Sequence, residues 1–178
     1  MCGICGFTGQ IVDRNETIKN MTDVITHRGP DSDGLFQDDY ISMGFRRLSI
    51  IDLDGGTQPI YNEDKSLVIT FNGEIYNYKI LREQLIKAGH KFYTDTDSEV
   101  LIHGFEEWGE EMLPKLRGMF GFAIYNKNDG SLFIARDFFG IKPMHYTLID
   151  GNLVYGSEIK SILQHPDFKK EFNEKALD

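Results

Sequence analysis

The chain has 178 residues, 40% of them apolar, and a formal charge of −9 from 28 acidic against 19 basic side chains. That length supports one domain burying about 70% of its unfolded surface, enough for a core without disulfide staples. The negative balance and the scattered basic residues exclude a phosphate-backbone partner, and no apolar run reaches the roughly 18 residues of a membrane span, so neither nucleic acid nor membrane is expected.

The chain opens Met1-Cys2-Gly3-Ile4-Cys5-Gly6. Removal of one methionine leaves a thiol and a free α-amine on the same residue, a nucleophile and a base sharing one carbon atom. Cys2-x-x-Cys5 also has a redox reading, but no strand precedes it and Gly6-Phe7-Thr8-Gly9 does not open a helix. A zinc reading lacks a second pair, because these are the only cysteines and the five histidines show no H-x₃₋₅-H spacing; no metal is expected. Two thiols make no disulfide framework and no secretory signal is visible, which makes the cytoplasm the expected compartment. No Walker-type or GxGxxG phosphate loop occurs.

Taken in chain order, Ile4 to Thr8, Tyr40 to Phe45, Leu67 to Phe71, Met119 to Tyr125, Ser131 to Arg136, Met144 to Leu148 and Leu153 to Ser157 read as strands rich in β-branched and aromatic residues. Asn126-Lys127-Asn128-Asp129-Gly130 and Asp150-Gly151-Asn152 are turn chemistry between neighbours, which implies antiparallel pairing. Ile18, Met21 and Ile25 share a helix face, as do Leu81, Leu85 and Ala88, and Leu101, Phe105 and Trp108, with Gly89 and Gly109 as helix stops. Strands 119–125 and 131–135 are apolar on both faces, as one sheet needs between a second sheet and a helical layer. The expected fold is α+β, a four-layer α/β/β/α sandwich of two antiparallel sheets. Residues 1–178 read as one domain whose charged end, from Lys169, looks cut before something larger.

Three local patterns bear on chemistry. Asn72-Gly73 between apolar runs reads first as a type I′ hairpin turn, and alternatively as a pair of oxyanion donors, an amide side chain beside a backbone N–H. Thr96 and Glu99 are spaced as a capping box for the helix that ends near Trp108, which leaves Asp97 unexplained. Arg46-Arg47 lies in a β-like run from Phe45 to Asp52, where neighbours face opposite sides, and an inward arginine suits a carboxylate such as that of a free amino acid, a surface salt bridge being the alternative.

Together with His27-Arg28-Gly29-Pro30-Asp31, Arg47-Leu48-Ser49-Ile50-Ile51-Asp52, Gln58-Pro59, Asn72-Gly73-Glu74-Ile75-Tyr76-Asn77, Thr96-Asp97-Ser98-Glu99, Arg136-Asp137-Phe138-Phe139-Gly140-Ile141-Lys142-Pro143 and Ser157-Glu158-Ile159-Lys160, the opening segment resembles the N-terminal glutaminase domain of glutamine-dependent asparagine synthetases. These are class II glutamine amidotransferases of the N-terminal-nucleophile hydrolase group, and the resemblance spans Cys2 to about Lys160. It implies that mature Cys2 attacks the side-chain amide of L-glutamine with its own α-amine as base, and that Asn72 and the Gly73 N–H hold the oxyanion. It further implies that Arg47 binds the α-carboxylate while Glu74 and Asp97 hold the α-ammonium, and that a glutamyl thioester is hydrolysed to glutamate. The implied partner is a C-terminal synthetase domain using ATP and magnesium, whose own loop motif is absent from this sequence. No cofactor is expected in the domain itself, and a homo-oligomer is compatible with the resemblance.

Overall fold

A computed structural model describes residues 1–48 and 57–171. Ser49 to Asp52 of the arginine run, and the charged end beyond Glu171, lie outside the described residues. The strands are β1 (Gly3–Thr8), β2 (Ser32–Gln37), β3 (Ile41–Arg47), β4 (Ile60–Tyr61), β5 (Leu67–Ile75), β6 (Gly118–Asn126), β7 (Leu132–Arg136), β8 (His145–Ile149) and β9 (Asn152–Gly156), and the helices α1 (Arg14–Asp23), α2 (Tyr78–Ala88), α3 (Ser98–Trp108) and α4 (Ile159–Ile162). One sheet runs β2-β3-β1-β9-β8 and the other β4-β5-β6-β7, with antiparallel pairing throughout.

Two-residue alternation divides the central strands between two cores. In β1, Ile4 turns into the space between the sheets with Met43, Phe45, Val68, Ala123, Tyr125 and Tyr155, while Cys5 and Phe7 turn outward onto Ile18, Met21, Ile25 and Ile162. In β5 and β6, Ile69, Phe71, Phe120, Phe122 and Ile124 face the third core, built on Leu81 and Leu85 of α2 and Val100, Leu101 and Ile102 of α3. The layers are therefore α1 and α4, first sheet, second sheet, α2 and α3, as expected. Gly89 and Gly109, at φ 112° and 56°, close α2 and α3 in conformations that favour glycine.

Three expectations change. β2 and β4 are not visible as strands in the sequence: β2 is Ser-Asp-Gly-Leu-Phe-Gln, half of it exposed at a sheet edge, and β4 is two residues long, so neither has an apolar period to read. Asn72-Gly73 is no hairpin turn, because β5 runs straight through it, pairing Asn72 with Gly121 and Gly73 with Phe120. A whole partner strand supplies the register, and this overrides local turn propensity. Thr96 and Glu99 form no capping box either: Glu99 accepts hydrogen bonds from Tyr93 N (2.6 Å), Thr94 N (2.8 Å) and the Thr94 hydroxyl (2.6 Å), fastening the preceding loop to α3.

Candidate active site

Alternation along β1 puts Cys2 on the same side as Ile4, at the mouth of the space between the sheets, and Cys5 on the other. Cys5 is sealed against α1, and burial pushes its thiol up to about 12 despite the hydroxyl of Thr22 and the charge of Arg46. The two thiols therefore cannot act as one redox pair. The Cys2 segment is fastened by its backbone. Arg28 Nε donates to the Cys2 carbonyl (2.9 Å), and Ile4 N–H donates to Ser157 Oγ (3.0 Å) while Ser157 N–H returns to Ile4 O (2.8 Å). Leu48 N–H lies 3.5 Å from Cys2 Sγ.

Cys2 opens onto a cleft of about 510 Å³ lined also by Met1, Leu48, Asn72, Gly73, Glu74, Tyr78, Asp95, Thr96, Asp97, Met119 and Lys142. Asn72 shares the inward side of β5 with Val68 and is 2% exposed, yet its Nδ2 donates to no partner among the described residues. A buried amide donor without an acceptor is uncommon and costs about 1–3 kcal/mol, so this position is free to receive one.

The Gly73 N–H follows from hydrogen-bond accounting. Phe120 N–H donates to Asp137 Oδ2 (3.2 Å) and Phe120 O accepts from Asp137 N (2.8 Å), so the Gly73–Phe120 pair exchanges no ladder bonds. The Gly73 N–H accordingly points to the opposite edge of β5. On that edge Phe71 N–H donates to Gln58 Oε1 (2.6 Å), Gln58 Nε2 donates to Phe71 O (3.0 Å), and Ile75 N–H donates to Asp97 Oδ2 (2.8 Å). Gly73 sits between these two capped residues, its N–H directed at the side where Cys2, Arg47, Gln58 and Asp97 line one hollow. Only glycine fits, because a Cβ would stand 2.2 Å from the Met119 carbonyl oxygen.

The arginines separate as the alternation requires. Arg46 turns toward α1, donating to Thr22 O (3.1 Å) and pairing with Asp23, while Arg47 turns inward toward the hollow. Glu74 and Asp97 flank the far side of the cleft. Burial, then the charge of Glu74, raises the Asp97 carboxyl above its usual range, although the Ile75 N–H opposes the shift. An ammonium between the two carboxylates would relieve that repulsion. His27, a conceivable base, pairs instead with Glu158 Oε1 at 2.8 Å on the surface and does not line the cleft.

All six residues expected from the sequence, Cys2, Arg47, Asn72, Gly73, Glu74 and Asp97, thus converge. Arg28, Gln58, Asp137 and Lys142, which hold or line the site, were visible only as members of motifs, since nothing local distinguishes them from surface polar residues.

The sequence matches the glutamine amidotransferase domain model over residues 1–178. The chain belongs to that family. It is 51% identical over 168 residues to asparagine synthetase (glutamine-hydrolyzing) 1 of Bacillus subtilis strain 168, an alignment covering 90% of this chain and 27% of the relative. It is 43% identical over 168 residues to asparagine synthetase (glutamine-hydrolyzing) 2 of Arabidopsis thaliana, covering 91% and 28%. The amidotransferase domain therefore spans roughly a quarter to a third of the length of these relatives. Among solved structures, a glutamine phosphoribosylpyrophosphate amidotransferase of B. subtilis superposes with a TM-score of 0.73 at 19% identity, covering 90% of this chain and 43% of that one. An allosteric regulatory enzyme of purine biosynthesis gives 0.75 at 20% identity, covering 92% and 43%. These place the amidotransferase domain in the N-terminal-nucleophile type of fold.

Proposed function

We propose that this domain hydrolyses L-glutamine to L-glutamate and ammonia, with Cys2 as nucleophile, and that it supplies the ammonia to an ATP- and magnesium-dependent synthetase domain making asparagine. The observation that carries the reading is the meeting of the Cys2 thiol with two directed donors, the orphaned Asn72 amide and the Gly73 N–H, in one cleft. The names of the relatives support the synthetase partner and the choice of acceptor.

Loss of Met1 frees the Cys2 α-amine. The amine takes the thiol proton as sulfur attacks the side-chain carbonyl carbon, and the oxygen of the tetrahedral intermediate accepts from Asn72 Nδ2 and Gly73 N–H. The same amine returns the proton to the departing nitrogen, ammonia leaves, and water cleaves the thioester to glutamate. Arg47 pairs with the substrate α-carboxylate, and Glu74 and Asp97 with its α-ammonium. The reaction in this domain uses no cofactor.

The test is release of ammonia and glutamate from glutamine without ATP, measured on chains whose N-terminus is read by mass spectrometry. Chains beginning at Cys2 turn over, with kcat/KM rising through a pKa near or below ~8 as the amine loses its proton. Chains retaining Met1, whose Cys2 nitrogen is an amide, do not. Full turnover by Met1-bearing molecules would eliminate the α-amine as base.

A further inference from the structure

Away from the cleft, three separate segments bring two histidines and two glutamates together. Glu63 lies in the turn between β4 and β5, His90 follows the glycine that ends α2, and His103 and Glu106 stand one turn apart on α3. One ligand-capable atom from each lies within 4.8 Å of all the others. His103 Nδ1 is 3.3 Å from Glu63 Oε2 and 3.7 Å from Glu106 Oε2, and His90 Nδ1 is 3.4 Å from Glu63 Oε1 and 3.6 Å from Glu106 Oε2. Ligands about 2.0–2.1 Å from a tetrahedral ion stand about 3.3–3.4 Å from one another; these four imidazole–carboxylate gaps, which draw on both Glu63 oxygens, lie near that spacing, and the set of one atom per residue spreads over up to 4.8 Å.

Two further observations separate this group from an ordinary surface charge cluster. His103 is fully buried, and its Nδ1 and Glu63 Oε2 are both sealed from solvent without a hydrogen-bond partner among the described residues, although they face each other. Glu63 Oε1 accepts from Lys91 N–H at 2.9 Å, so the orphaned oxygen is aimed by its own carboxylate anchor. The outer nitrogens also have partners: His103 Nε2 meets Glu99 Oε1 at 3.4 Å and His90 Nε2 meets Glu107 Oε2 at 3.3 Å. A carboxylate behind each imidazole is the arrangement that orients metal-bound histidine and raises its basicity. The Phe92 ring packs edge-on against His103 at 4.6 Å, giving the group an apolar wall.

We propose that Glu63, His90, His103 and Glu106 form a binding site for one zinc-class divalent cation that ties α3 to the end of α2 and to the β4–β5 turn. Imidazole with carboxylate suits zinc and its neighbours better than calcium or magnesium, which take oxygen cages. The site is structural, because its ligands face one another and it does not share the Cys2 cleft.

The experiment uses the chain stripped with a chelator, its Cys2 thiol blocked with iodoacetamide, and titrated with zinc against a chromophoric competitor, then with cobalt followed by visible spectroscopy. One equivalent binds, cobalt gives the intense visible bands of a four-coordinate site, and zinc raises the melting temperature by several degrees. His90→Asn and Glu63→Gln each weaken zinc at least tenfold and abolish that stabilisation. Both residues are only partly buried, and circular dichroism confirms folding of each variant. Absence of stoichiometric zinc and cobalt uptake, or affinities unchanged in both folded variants, overturns the proposal and leaves the group a histidine–carboxylate cluster.

Discussion

The Cys2 cleft meets α3 at its N-terminal end and the His90–His103 group lies against the middle and later part of the same helix, and the two differ in where their polar atoms point. In the cleft, the buried Asn72 Nδ2 donates to no partner among the described residues, and the Gly73 N–H is directed at the hollow beside Cys2. In the histidine group, the polar atoms face each other across gaps of 3.3 to 3.7 Å. Glu99 links the two regions: it meets His103 on one side, and on the other it fastens the 93–94 loop that leads to Thr96 and Asp97. Both regions hold buried polar atoms without a hydrogen-bond partner among the described residues, but the unpaired Asn72 amide lines a cleft open to a small molecule, whereas His103 Nδ1 and Glu63 Oε2 face each other across 3.3 Å inside the fold.

The comparison is tested most severely at the two cysteines. Cys2→Ala should reduce glutaminase turnover by about 10⁴-fold or more with an unchanged melting curve, whereas Cys5→Ala should keep most of the activity and lose stability through the cavity left under α1. Equal activity losses would restore the redox reading. Next in size, Asn72→Ala should lower kcat by about 10²–10³ with little change in KM or in melting temperature, because the Nδ2 it removes donates to nothing among the described residues. A large stability loss there would mean that Asn72 is architectural.

The opposite signature is expected from Glu99→Gln. Burial alone would raise the Glu99 carboxyl, but His103, Thr94 and the Tyr93 and Thr94 N–H groups outweigh it and bring the value from 4.5 down to about 2. A carboxyl depressed in the folded state stabilises above its unfolded value and loses that contribution as pH falls from about 4.5 to about 2. Denaturant titrations should show the variant about 2–3 kcal/mol less stable at neutral pH and losing less stability than the parent over that acid interval. The smallest effect belongs to the arginines: Arg47→Lys should reduce kcat/KM about tenfold or more through the lost fork, while Arg46→Lys leaves kinetics unchanged. The reverse order would mean that β3 is read one residue out of register.

The cleft was legible in the sequence because its residues occur as contiguous motifs, and because strand alternation alone separates Cys2 from Cys5 and Arg46 from Arg47. The layer order was legible from strands 119–125 and 131–135, apolar on both faces. The histidine group was not, since its members lie 27, 13 and 3 residues apart and match no ligand spacing; only the fold assembles them. The Asn72-Gly73 turn reading failed for a related reason: the strongest local hairpin signal in the chain yields to a partner strand nearly fifty residues further on.

Gln58 has a consequence for the edge of β5 beyond β4. Its side-chain amide offers Phe71 one donor and one acceptor, as a neighbouring strand would, so it acts as a surrogate peptide unit where β4 has already ended. The margin of a sheet is the usual place for one molecule to zip onto another. Here that margin is occupied at Phe71 by an amide and at Ile75 by the Asp97 carboxylate, which leaves a gap one residue wide. A single small oxyanion fits such a gap, but a second polypeptide cannot lay down a ladder along this stretch of β5, so the Gly73 N–H stays open without offering a pairing edge there.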